Sequence, residues 1–175
     1  MELALLQRQL LGLIKATYQP TEADEPYIQM VAQSPQLELV SEIARWWQTF
    51  GIIRACPLTS TLLQQRGSFE PTAHAFLGSR DVSPFVDRLG LTFLEAMSQH
   101  DDALIAAVAR FELALLRVKG GSPATYTVEW RHEPYAVLYS LLQKQPLDES
   151  GIQGHYQTLV SGQIPGLFLV AAREE

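Results

Sequence analysis

Cysteine is nearly absent from this 175-residue chain: Cys56 is the only one. A single thiol builds neither an internal disulfide nor a thiolate metal cage, so a reducing cytoplasm is the expected compartment. Basic side chains are scarce too. Thirteen Lys and Arg stand against nineteen Asp and Glu, a formal charge of −6. Proteins that bind nucleic acid usually concentrate cations to displace counterions from phosphates. The nearest grouping here, Arg110, Arg117 and Lys119, is too small, so nucleic acid is not expected as a partner. No run reaches the roughly 18 apolar residues that span a bilayer, and no membrane association is expected. The N-terminus lacks a basic n-region, and Gln7, Arg8 and Gln9 break its apolar run, so no signal peptide is read there.

Catalytic motifs are missing as well. There is no Gly-x-Ser-x-Gly elbow, and the glycines form neither a phosphate loop nor a dinucleotide fingerprint. Of His74, His100, His132 and His155, only His74 has a ligand-type side chain one turn away within a helix, Glu70, which reads as a surface contact. Three or four ligands do not converge in sequence, so neither metal nor cofactor is expected. His132-Glu133 reads as a polar turn ahead of a helix that starts at Pro134. Cys56 reads as a small buried residue before Pro57, with only Arg54 near enough in sequence to activate it. No catalytic residue is assigned.

What the chain does have is helical periodicity over its first two thirds. Leu3, Leu6, Leu10, Leu13 and Ile14 form one stripe, with Leu5 and Leu11 widening it, and predict a buried helical face over about 2–17. Pro26 and Ser34-Pro35 start further helices. The second of these, about 36–50, carries Leu37, Val40, Ile43, Ala44, Trp47 and Phe50 on one face, expected to be core, with Trp46 at its rim. Helices follow over 58–65, from Phe69, and over 85–98 after Ser83-Pro84, with Phe85, Leu89, Phe93 and Met97 inward. Asp101 and Asp102 then open a helix to Val118 that is apolar nearly all round. Glu112 lies inside it between Phe111 and Leu113. A buried carboxylate must be hydrogen-bonded or paired, and a structural ion pair is the expected arrangement.

Gly120-Gly121-Ser122-Pro123 stops this helix, and the period changes beyond it. Tyr126, Val128 and Trp130 alternate as one face of a strand. A helix over 134–143 and strands over 155–160 and 167–172 complete a β-α-β-β unit. The expected fold class is therefore α+β: an N-terminal all-α bundle over 1–119 followed by a small mixed unit with a short sheet over 124–175.

The order of signals from about Trp46 to Ala172 resembles a family of two-part accessory proteins that carries a DNA-binding label. Its members accompany multinuclear non-haem iron oxidases in the modification of ribosomally made peptides. The marks are Cys56-Pro57-Leu58-Thr59-Ser60-Thr61-Leu62-Leu63, Gly67-Ser68-Phe69 leading to Ala75-Phe76-Leu77, the segment 85–94, and Ala109-Arg110-Phe111-Glu112 ahead of the tail. Cys56 stands where the family usually has Phe, and Arg45-Trp46-Trp47 where a Tyr-Arg-x-Asn-like segment is usual. The resemblance implies a non-catalytic subunit. Its helical body would dock the iron oxidase and its tail would hold a precursor peptide by adding a strand to the sheet. Strand addition needs an exposed edge. The edges 126–130 and 167–172, with Tyr126, Val128, Trp130, Leu167 and Leu169, are the candidate peptide-binding positions. The alternatives are a DNA-binding transcriptional regulator, which needs a basic groove, and a self-contained enzyme, which needs a polar cleft of converging ionisable groups.

Overall fold

A computed structural model describes residues 3–79, 86–150 and 153–172; the Ser83-Pro84 start signal and Phe85 lie outside them. The described residues form eight helices and three strands. They run α1 (Leu3–Ile14), α2 (Pro26–Ala32), α3 (Gln36–Ala55), α4 (Pro57–Gln65), α5 (Phe69–Ser79), α6 (Val86–Met97), α7 (Ala103–Lys119), β1 (Tyr126–His132), α8 (Pro134–Leu142), β2 (Gln153–Val160) and β3 (Phe168–Ala172). The class is α+β, with the helices leading and an antiparallel sheet at the C-terminal end.

The chain divides into two compact units, 1–50 and 51–175, with the boundary inside α3. The break at Gly120–Pro123 thus falls within the second unit, as a change of secondary structure. It is a helix stop. Gly121 takes φ +93°, and the Ser122 N–H returns to the Arg117 carbonyl at 3.0 Å, satisfying an end carbonyl that the helix cannot.

The first unit has a small interior. Only Leu13 and Ile28 are fully buried apolar residues among its described positions. A polar knot closes the α1–α2 connection, where the Asp24 carboxylate accepts from the Thr21 N–H at 2.6 Å and from Gln9 Nε2 at 2.7 Å. The Thr21 bond, with the Tyr18 hydroxyl behind it, holds that carboxyl below its ordinary value. The expected core of α3 is not borne out, and that of α1 only in part: Leu13 is buried and Leu6, Leu10 and Ile14 are half-buried. Leu3, Leu5 and Leu11 are exposed, as are Val40, Ile43, Trp47 and Phe50. Periodicity sorted these residues onto common faces, but this unit has too few elements to cover them.

The second unit is built around α7. Ten of its apolar residues, Leu104 to Val118, are buried, together with Glu112. The Asp102 carboxylate caps its start, accepting from the Leu104 and Ile105 N–H groups at 2.9 and 3.2 Å. Helices α4 and α6 and strand β1 all pack against α7. Leu89, Phe93 and Met97 of α6 are buried as their spacing predicted; of Ala73, Phe76 and Leu77, the inward set that the sequence suggests for α5, the first two are buried and Leu77 packs half-buried against the same core. Where α6 meets the end of α3, Gly90 permits close approach. A Cβ there would lie 2.5 Å from that of Ala55.

The sheet order is β1-β2-β3, antiparallel throughout, so β1 and β3 are the outer strands. Val128 and Trp130 point inward at 3% and 2% exposure. Phe111 joins the layers: its ring lies 5.8 Å from Trp130 and 5.0 Å from Phe168, both edge-on. The Trp130 indole N–H, which burial would otherwise strand, donates to the Thr158 hydroxyl at 3.0 Å.

Candidate functional site: the outer strands and the groups around them

The outer strands differ in chemistry. β1 carries Glu129 and Arg131, and its register with β2 shifts between Trp130 and His132. Charged side chains and a bulge are the usual devices that stop an edge from pairing again. β3, Phe168-Leu169-Val170-Ala171-Ala172, has no charge and no proline, and it pairs with β2 without a shift from Phe168↔Val160 to Tyr156↔Ala172. Among the described residues no further strand pairs with its far side. Phe168 and Val170 lie in register with the buried Val160 and Thr158 and share their face; Leu169, on the other face, is 40% exposed. Beside Phe168 stands Tyr135 of α8, ring centroids 5.8 Å apart. Tyr135, Tyr139 and Leu142, spaced four and three residues apart, leave the outer side of α8 apolar and exposed.

The residues named from sequence thus occupy different environments. Val128 and Trp130 hold the sheet to α7, so a ligand on β1 would meet their main chain and not their side chains. Tyr126 is half-buried, its hydroxyl 2.9 Å from that of Ser122 and its ring under the Arg117 guanidinium. Leu167 precedes β3 with φ +72°, in a turn where its carbonyl accepts from the Ser161 N–H at 2.9 Å. Leu169 alone of the five presents an exposed side chain. Tyr135 and Tyr139 were not singled out in the sequence, because a nine-residue helix with a high apolar content does not reveal which side is covered.

The ionisable groups are committed elsewhere. Glu133 caps α8, its carboxylate accepting from Tyr135 and Ala136 N–H at 3.1 and 2.6 Å. His132 Nε2 lies 3.8 Å from Glu149, whose other oxygen is 2.6 Å from Arg66, and Arg66 also reaches Asp102 at 3.4 Å. Arg66 and Glu149 line an open cleft of about 450 Å³ with Leu62, Lys144 and Leu147, and their charges answer one another there. His74 lies 3.7 Å from Glu70 on an exposed helix face. Among the described residues, no three His, Cys, Asp or Glu side chains are grouped to hold a metal ion, and no helix is long and apolar enough to cross a membrane.

Cys56 and Glu112 meet at the start of α4. Cys56 is fully buried, its thiol donating to the Gly90 carbonyl at 3.4 Å; burial, with the Glu112 charge adding, pushes that thiol far up, away from nucleophilic use. Glu112 has no cationic partner within ion-pair distance among the described residues, which corrects the ion-pair expectation. Its two oxygens accept from the Leu58 and Thr59 N–H groups at 2.8 and 2.9 Å. The physical reason is local. Pro57 sits at the first position of α4, and Cys56 before it supplies no side-chain cap, so two buried donors need an acceptor from elsewhere. The Ser60 N–H bonds Cys56 O at 2.9 Å, so every backbone N–H of the first turn is satisfied.

Fold and surroundings therefore define an α+β protein with a helical N-terminal region and a small sheet open at one apolar edge. No protein family, curated protein or solved structure matches the chain.

Proposed function

We propose that this chain is a non-catalytic accessory subunit that takes a peptide as an added strand on the outer edge of β3. The peptide would be a ribosomally made precursor, presented to a partner multinuclear non-haem iron oxidase in natural-product maturation in the cytoplasm. The observation that carries the reading is the contrast between edges: β1 is charged and bulged, whereas β3 is regular and uncharged. Main-chain pairing supplies affinity in this mode, and pockets for alternate side chains supply choice. Residues of the peptide on the Phe168 face would meet Tyr135, and those on the other face Leu169, so apolar or aromatic side chains are favoured. The identity of the oxidase rests on the sequence resemblance. The acidic balance of the chain disfavours the regulator alternative.

The gene neighbourhood gives the first check, since the reading requires an iron-oxidase gene and a short-peptide gene alongside. The binding test uses that short peptide in two forms, N-methylated on alternate sets of backbone amides. A peptide in an antiparallel ladder points every second N–H at its neighbour and the others away. One methylated form should therefore bind as the parent does, and the other should lose binding. Equal binding by both forms would exclude strand pairing.

A further inference from the structure

The N-terminal unit leaves an apolar face of α3 open. Leu39, Ile43, Trp46 and Phe50 follow one another at intervals of four, three and four residues. That is the seam spacing of paired helices. Their exposures are 57%, 48%, 58% and 38%. The rings brace one another: Trp46 stacks on Phe50 at 5.4 Å, and Trp47 stands edge-on to both. Among the described residues of the same unit only Leu13 and Ile28 are buried as apolar core, so the stripe is large beside the interior that supports it. Aromatic side chains carry about 150–250 Å² each. At these exposures the four seam residues, with Val40 and Trp47, offer on the order of 600 Å² per copy, near the ~800 Å² a side of a stable specific interface.

The flanks of the stripe say what covers it. At 100° per residue, Glu38, Glu42 and Arg45 fall on one flank and Val40 and Trp47 on the other. In an antiparallel two-fold pair each flank meets its own copy, so Glu42 comes beside Arg45 of the other chain and the apolar flanks meet each other. In a parallel pair the charged flank would lie on the apolar one. The helix dipoles also oppose in the antiparallel arrangement.

We propose that a second copy of this chain docks on the Leu39–Phe50 face of α3, the two helices running antiparallel. Such an interface is isologous, the same patch serving both sides, and it is independent of the peptide reading.

Sedimentation velocity on the full chain across micromolar concentrations tests it. The wild type should sediment as a dimer. The double variant Ile43→Ser/Trp46→Ser should dimerise about tenfold or more weakly, with an unchanged far-UV circular dichroism spectrum because both side chains are exposed. A wild type that stays monomeric overturns the proposal. Quenching of tryptophan fluorescence by iodide then says whether the face is bare or covered by the chain itself. Undiminished dimerisation of the double variant overturns it as well. Orientation is tested by charge: Glu42→Lys and Arg45→Glu should each weaken self-association, and a mixture of the two variants should restore it. Without that rescue the antiparallel pairing is wrong.

Discussion

Phe111→Ala should cost about 3–5 kcal/mol of stability, the range for truncating a fully buried phenylalanine. The side chain is 1% exposed and is the piece of α7 that touches both outer strands, through Trp130 on β1 and Phe168 on β3. A cavity there cannot collapse easily, because Trp130 is pinned by its hydrogen bond to Thr158. The expected result in denaturant titration is a large fall in midpoint together with loss of the near-ultraviolet signal of Trp130. Phe111→Leu should recover much of the loss. Leu142→Ala, at an exposed position, should stay within about 0.5 kcal/mol. If Phe111→Ala were as mild as Leu142→Ala, the sheet would not rest on α7 as described.

The neighbouring residue on α7 has an effect of similar size by a different cause. Glu112→Ala should destabilise by about 2–6 kcal/mol, because the Leu58 and Thr59 N–H groups lose their acceptor and each unsatisfied buried donor costs about 1–3 kcal/mol. Glu112→Gln keeps one carbonyl acceptor and the side chain's volume, so its cost should be smaller. Burial raises the Glu112 carboxyl above its ordinary value, against the pull of the Thr59 and Leu58 N–H groups. The unfolded chain titrates near 4.5, so above that pH the folded protein retains a proton that the unfolded chain has released. This contribution to stability is complete below about 4.5 and is lost as pH rises through the raised value. The stability difference between wild type and Glu112→Gln should therefore move against the wild type with rising pH across that window. Movement in the wild type's favour would mean that the two N–H bonds outweigh burial.

Glu112 also shows where the sequence stopped being legible. That the carboxylate is buried and needs partners followed from its apolar neighbours. Its partners did not, because they lie 54 and 53 residues away in the chain. A signal was present: a helix opening Cys-Pro, with no Ser, Thr, Asp or Asn to cap it, advertises donors that must be met from elsewhere. The expected ion pair overlooked that a helix start supplies donors without a cation. The strands were legible because two-residue alternation needs only local sequence, and β1, β2 and β3 lie within a few residues of the expected spans. Alternation also put Tyr126, Val128 and Trp130 on one face, but could not say that this face would close on α7. The same limit applies to α3. Its apolar stripe is plain in sequence, yet periodicity defines a face and not its cover. Which outer strand is defended was readable from Glu129 and Arg131, once the strand order was known.

The claim that most depends on these distinctions is that β3, not β1 or a helical surface, receives the peptide. Amide hydrogen exchange measured residue by residue, with and without saturating short peptide from the neighbouring gene, tests it most directly. An added strand protects outward-pointing N–H groups and leaves the inward ones, already bonded to β2, as they were. The account predicts slowed exchange at alternate residues of Phe168–Ala172 and no change along Tyr126–His132. Slowing along β1, or on the helices with β3 unaltered, would contradict it.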